Sequence, residues 1–299
     1  MAMNDPRWPR ANAWLASESA EPELLVVGVP SSRSSLTPSR ADLAPLEVRG
    51  QVDRFSTFHG ELDVDFSTVA VRDVGNWPVS EIDPVPLIGE VMRLAGDLPT
   101  AELTLYIGGD NAITRPLAAA ETDDLRKLGL ITFDAHHDAR SLEYGPSNGN
   151  PIRGLIEEHG LPGRNVVQIG IHSFSNSDAY HSYCDDAGIT TVTVEQVEKI
   201  GMRAAVDVAV SQLATTCDSI YVDVDLDVLD RSFAPACPGA RPGGLTVRQL
   251  SAGVLRAAAH HSVRAMDFVE VDPTLDVNDM TLDVMAHLLL SAVTGFATR

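Results

Sequence analysis

Lysine is nearly missing from this chain. Lys127 and Lys199 are the only two among 22 basic residues, and 42 Asp and Glu stand against them, for a formal charge of -20. A surface of that sign repels phosphate backbones and anionic lipids, so no nucleic acid and no membrane is expected as a partner. Cysteine is also scarce: Cys184, Cys217 and Cys237 lie far apart and form no C-x-x-C pair. This excludes a zinc ribbon and a disulfide framework, and it suits a reducing, cytoplasmic setting. No stretch approaches 18 uninterrupted apolar residues, and the opening "MAMNDPRWPRANAWLASESAEPE" lacks the apolar run of a signal peptide. Residues 1–22 are therefore expected to be a flexible segment. Neither a Pro/Gly/Ser tract nor an internal repeat divides residues 23–299, which are expected to form a single domain.

What the chain does contain is short, continuously apolar runs at residues 23–30, 66–75, 102–109, 128–138, 165–174, 219–227 and 263–272. Runs of that kind are strands buried on both faces, hence a mostly parallel sheet. Helical patterns fall between them, near 84–96, 115–127, 151–159, 178–188, 201–216, 246–260 and 281–297. The expected fold is a three-layer α/β/α architecture around a doubly wound, mostly parallel sheet. Asp110, Asp134, Asp225, Asp227 and Glu270 each fall at or just past the carboxyl end of an expected strand. In open α/β sheets that edge binds ligands, so residues far apart in sequence are expected to converge on one crevice.

Two acidic clusters define the chemistry. In "FDAHHDAR", Asp134, His136 and Asp138 alternate, so they share a face where strand gives way to loop. In "YVDVDLDVLD", Asp223, Asp225 and Asp227 do the same on an otherwise apolar strand. Gathering buried carboxylates costs several kcal/mol per ion unless cations neutralise them. A donor set rich in carboxylate, poor in imidazole and free of thiolate suits Mn²⁺ or Mg²⁺ better than Zn²⁺ or Cu²⁺. Two such ions sharing carboxylates acidify a bridging water, which points to hydrolysis.

With these residues in view, the chain resembles the ureohydrolase family: arginase, agmatinase, guanidinobutyrase and formimidoylglutamase. The resemblance is carried, in order, by Gly108-Gly109-Asp110-Asn111, Asp134-Ala135-His136-His137-Asp138, Asp225-Leu226-Asp227-Val228-Leu229-Asp230, Gly243-Gly244-Leu245-Thr246 and Glu270-Val271-Asp272-Pro273. It implies two manganese ions per chain. Asp134 and Asp225 would bridge them, His136 and Asp227 would complete one, and Asp138 with Asn111 the other. Asp223 also lies in the second cluster, but "RSFAPA" after Asp230 aligns with the family and selects Asp225 and Asp227. Glu270 matches the carboxylate that holds the amidinium or guanidinium of the substrate. Asn111 stands where the family has histidine, and an amide oxygen is a weaker donor than imidazole. The second manganese is thus expected to be held less tightly, or the site to be mononuclear.

Substrate choice falls to the surrounding residues. Arg140, two positions past Asp138, binds carboxylate bidentately and repels a cationic tail, which disfavours agmatine. Where arginases and agmatinases carry a shuttling histidine, "YGPSNGNPIRG" offers Asn148, Asn150 or Arg153. That segment and the Asn176-Ser177 loop resemble the formimidoylglutamase branch. The resemblance therefore implies hydrolysis of N-formimidoyl-L-glutamate, with Glu270 and Asp138 catalytic, and Arg140, Asn148 and Arg153 at the substrate. A carboxylate-bearing guanidino substrate that yields urea is the alternative, and a catalytically silent member of the family is a third reading. By the same resemblance the chain is expected to form a homo-oligomer, a trimer or hexamer.

Overall fold

A computed structural model describes Asp5 and residues 7–299. Eight parallel strands form its central sheet: β1 (Leu24–Val29), β2 (Val71–Asn76), β3 (Leu103–Gly108), β4 (Leu128–Phe133), β5 (Val166–Ile171), β6 (Thr190–Thr193), β7 (Ser219–Asp225) and β8 (Val263–Val269). They lie in the order β2-β1-β3-β8-β7-β4-β5-β6. Every residue of β1, β4 and β5 is buried, which is why those segments read as unbroken apolar runs.

One face of the sheet is covered by α1 (Ala11–Leu15), α2 (Ala44–Gln51), α7 (Val194–Ile200), α8 (Met202–Ala214), α9 (Val247–Ala258) and α10 (Met280–Phe296). The other is covered by α3 (Pro84–Gly96), α4 (Thr114–Ala120), α5 (Pro151–His159) and α6 (Asp178–Ala187). These are the expected three layers. Local chemistry sets the helix ends: Thr246 and Gln249 form a reciprocal capping box that starts α9, and Pro151 opens α5, which Gly160 closes in the left-handed region at φ +78°. No helix among the described residues is long and apolar enough to cross a membrane.

Several expectations need correction. The segment before residue 23 is not loose throughout: α1 packs into the core, and the Trp14 indole donates to Val69 O at 3.0 Å. A buried Trp seeks a partner for its N–H, and this one ties the segment to the body. The strand expected from residue 66 begins only at Val71, because Asp65 caps a 3₁₀ turn over Phe66–Thr68. Helix α4 stops at Ala120 rather than 127, since Asp124 caps a separate turn at Leu125–Lys127. Strand β6 was not expected at all. Its sequence, Thr-Thr-Val-Thr, is half-buried at the sheet edge and carries no apolar run.

Candidate metal centre and active-site cleft

Four neighbouring strands, β3, β8, β7 and β4, deliver the acids at their carboxyl ends. Phe133 pairs with Val224 and Val269 pairs with Asp225, so Asp134, Asp225 and Glu270 emerge at similar height. Strands lie about 4.8 Å apart, so four strand ends span only about 15 Å. Sequence distance thus becomes side-chain contact through the sheet order.

Among the described residues, one group gathers potential ligand atoms within 4.8 Å of one another: Asp134, His136 and Asp227. His136 Nδ1 lies 2.9 Å from Asp227 Oδ2 and 3.5 Å from Asp134 Oδ1. Asp225 supports the group from the turn, accepting the Asp227 N–H at 2.8 Å. Asp227 and Asp134 also orient backbone, taking the N–H groups of Ala135 and His136 at 3.4 and 2.6 Å. Asp138 and Asn111 form a second pair, with Asn111 Nδ2 donating to Asp138 Oδ2 at 2.5 Å. Asp138 holds a left-handed backbone at φ +50°, and Glu270 another at φ +68°. For residues other than glycine this costs on the order of 1–3 kcal/mol each, and such residues cluster at functional sites. Asp223 sits deeper in β7, near Thr114 and Asp267, and does not line the cleft, whereas Asp225 and Asp227 do.

Burial dominates the electrostatics of this group. It pushes Asp134 up to about 6, with Asp227 adding repulsion, and it raises Asp138 and Asp225 well above the carboxylate range. Asp227 is the exception: burial pushes it up, but His136 more than offsets this and holds it below its ordinary value. His136 in turn is pushed up to about 12, chiefly by Asp227. A cluster of buried carboxylates with one imidazole as its cation is short of positive charge. That donor set, oxygen-rich with a single nitrogen, fits a hard divalent ion such as manganese.

The cleft over this group has a volume of about 360 Å³ and is bordered by Asp138, Arg140, Asn148, Tyr180, Arg241 and Glu270. Glu270 is buried, and burial pushes it up to about 8, with Asp110 adding repulsion. Its Oε1 accepts the Asn111 backbone N–H at 2.7 Å and Asn148 Nδ2 at 3.0 Å. Asn148 is itself fixed, because its Oδ1 takes the Leu36 N–H at 3.0 Å. Asn150 folds back onto its own loop through Ser147 and Gly145. Arg153 does not reach the cleft: it pairs with Glu157 one turn along α5 and stacks over Tyr183. The residue that sequence reading missed is Arg241, from a proline- and glycine-rich loop with no periodicity to expose it. A larger cavity, about 670 Å³, lies between α9, α10 and a short antiparallel pair of strands, Phe58–His59 with Val64–Asp65, and none of the clustered acids lines it.

Close approach explains one glycine. A β-carbon on Gly239 would sit far inside van der Waals contact with Asp227 Oδ2. Gly239→Ala is therefore expected to displace that carboxylate and weaken any divalent-ion binding at this group about ten- to a hundredfold. Elemental analysis after equilibrium dialysis checks this, and unchanged occupancy would show that Asp227 tolerates the shift.

A family model described as the arginase family matches residues 22–295. A formimidoylglutamase from Halalkalibacterium halodurans is 38% identical over 90% of this chain and 86% of that protein. The crystal structure of formimidoylglutamase from Bacillus subtilis superposes with a TM-score of 0.92 at 32% identity, covering 99% of this chain and 94% of that one. A Trypanosoma cruzi formiminoglutamase crystallised with Mn²⁺ shares the fold, with a TM-score of 0.88 at 23% identity over 98% and 99% of the two chains. The match runs through every strand that carries the acid cluster, and the chain belongs to the arginase family.

Proposed function

We propose that this chain is a manganese-dependent hydrolase that converts N-formimidoyl-L-glutamate to L-glutamate and formamide. The observation that carries this is the pairing, in one cleft, of a buried carboxylate at the acid cluster with two arginines, Arg140 and Arg241. A substrate with an amidinium at one end and two carboxylates at the other matches that arrangement.

Asp134, His136, Asp225 and Asp227, with Asp138 and Asn111, are the residues that would hold two manganese ions. When bound, the metal supplies Lewis acidity and brings water within reach of ionisation at neutral pH. The protein's own groups then divide the work. Glu270 Oε1 is occupied by Asn111 and Asn148, and no donor from the described residues reaches Oε2, which is left for an amidinium N–H. That contact directs the amidine carbon over the acid cluster. Asp138, at the edge of the cleft, would take a proton from the attacking water and pass it to the departing glutamate nitrogen. Water adds its oxygen to the amidine carbon, the bond from that carbon to the glutamate nitrogen breaks, and formamide leaves. Asn148 acts at the substrate by keeping Glu270 aimed. The family resemblance supports a cytoplasmic homo-oligomer, a trimer or hexamer, and light scattering tests its size.

The test is manganese-titrated product release from N-formimidoyl-L-glutamate. Formamide without urea is expected; urea from guanidino acids in preference would replace this reading with the guanidino one, and no turnover of either would leave a silent member of the family. Arg140→Ala is expected to raise KM for the glutamate substrate about ten- to a hundredfold with a smaller change in kcat, because a charge-assisted carboxylate contact is lost. An unchanged KM would remove Arg140 from substrate recognition.

A further inference from the structure

Beneath the cleft, Asn111, Thr114, Tyr221 and Asp267 form a polar chain that solvent does not reach. The Thr114 hydroxyl lies 2.7 Å from Asn111 Oδ1 and 2.8 Å from Asp267 Oδ2. Tyr221 donates to that same Asp267 oxygen at 2.8 Å. A hydroxyl carries one proton, so with this amide orientation Thr114 satisfies only one of these two acceptor oxygens at a time. On its far side Asn111 turns its NH₂ toward Asp138. An N–H cannot ligate a cation, so in this orientation Asn111 presents no donor atom to the second metal position.

For the carbonyl oxygen to face Asp138 and a metal beside it, the amide must make a half-turn. Its NH₂ then meets Thr114, which accepts that hydrogen bond only if its own proton goes to Asp267. Asp267 stands ready for this, held by Tyr221. We propose that Thr114 is a positioning residue: by switching its hydroxyl proton from Asn111 to Asp267, it lets Asn111 turn its carbonyl oxygen toward the second manganese. The weak ligand at position 111 thus has a dedicated support three residues on, at the start of α4. This inference rests on the dinuclear site proposed above.

The test reads metal binding rather than turnover. Manganese uptake is followed by elemental analysis across a dialysis series, together with the spin-coupled signal of a dimanganese pair. The chain without substitution is expected to take up two ions. Thr114→Val, which keeps the shape and removes the hydroxyl, is expected to weaken the second ion about ten- to a hundredfold and leave the first unchanged, because the turned amide N–H has no acceptor. Thr114→Ser should restore binding. In an Asn111→His background, where no amide has to turn, Thr114→Val should have no effect on the second ion. Unchanged uptake in Thr114→Val overturns the proposal alone. An equal loss in the Asn111→His background also overturns it, since the cause is then distortion and not the amide. A single ion at saturation in the unsubstituted chain overturns the dinuclear reading and this proposal together.

Discussion

Glu270→Gln is expected to lower kcat/KM for N-formimidoyl-L-glutamate by roughly a thousandfold while metal content stays the same. The carboxylate is placed by the backbone: it comes directly after the last strand, its N–H donates to Gly109 O at 2.9 Å, and φ of +68° turns the side chain into the cleft. Glutamine keeps this path and keeps an oxygen for the Asn111 and Asn148 donors. What it loses is charge. An amidinium that enters the cleft meets an amide NH₂ in place of a carboxylate oxygen, so attraction becomes repulsion in a site shielded from water. Burial has already pushed Glu270 up to about 8, and a bound cation favours its ionised form, so substrate and carboxylate each stabilise the other's charge. Steady-state kinetics alongside elemental analysis checks the prediction. A variant within about threefold of the parent would mean that the amidinium is held elsewhere.

The difference between what the sequence disclosed and what it hid comes from periodicity. Asp134, His136 and Asp138 are legible because ligand-type residues crowded directly after an apolar strand stand out, although the chain bends after β4 and Asp138 turns left-handed. Glu270 is legible because it ends an apolar strand. Positions in loops are different, since their side chains are aimed by tertiary contacts alone. Asn148 and Asn150 are the same residue type two positions apart, yet one reaches Glu270 and the other folds back on its own loop. Arg241 enters the cleft from a segment with no repeat to trace. Arg153 obeys a repeat, but that of α5, which places it beside Glu157 at i+4 rather than at the substrate. The orientation of the Asn111 amide was likewise beyond the sequence, because it depends on Thr114 and Asp138 approaching from opposite sides.

The metal-free protein is expected to lose stability as pH rises from about 5 to about 8, with a fall of roughly 5 °C or more in melting temperature. The direction of the shifts sets the sign. Asp134 is raised to about 6 and Glu270 to about 8, so between their unfolded values near 4 and these folded values the native chain binds protons that the unfolded chain has released. Stability conferred by those protons is present at low pH and disappears as pH climbs through the folded values. Asp138 and Asp225 are raised as well and act in the same direction. His136, raised to about 12, is a cation that the fold prefers charged, and its contribution also declines once pH passes 6.5. Asp227 has the opposite sign, but its shift lies below 3.8 and leaves this window untouched. Manganese takes the place of the protons and is bound by the ionised carboxylates, so the stabilisation it adds should grow over the same pH range. Thermal melts in chelator and in excess manganese at pH 5, 6.5 and 8 check both trends. A melting temperature that rises with pH in chelator would count against the buried acid cluster. Glu270→Gln gives an internal control, since removing one raised carboxyl should make the slope shallower across its whole window, from about 4.5 to about 8.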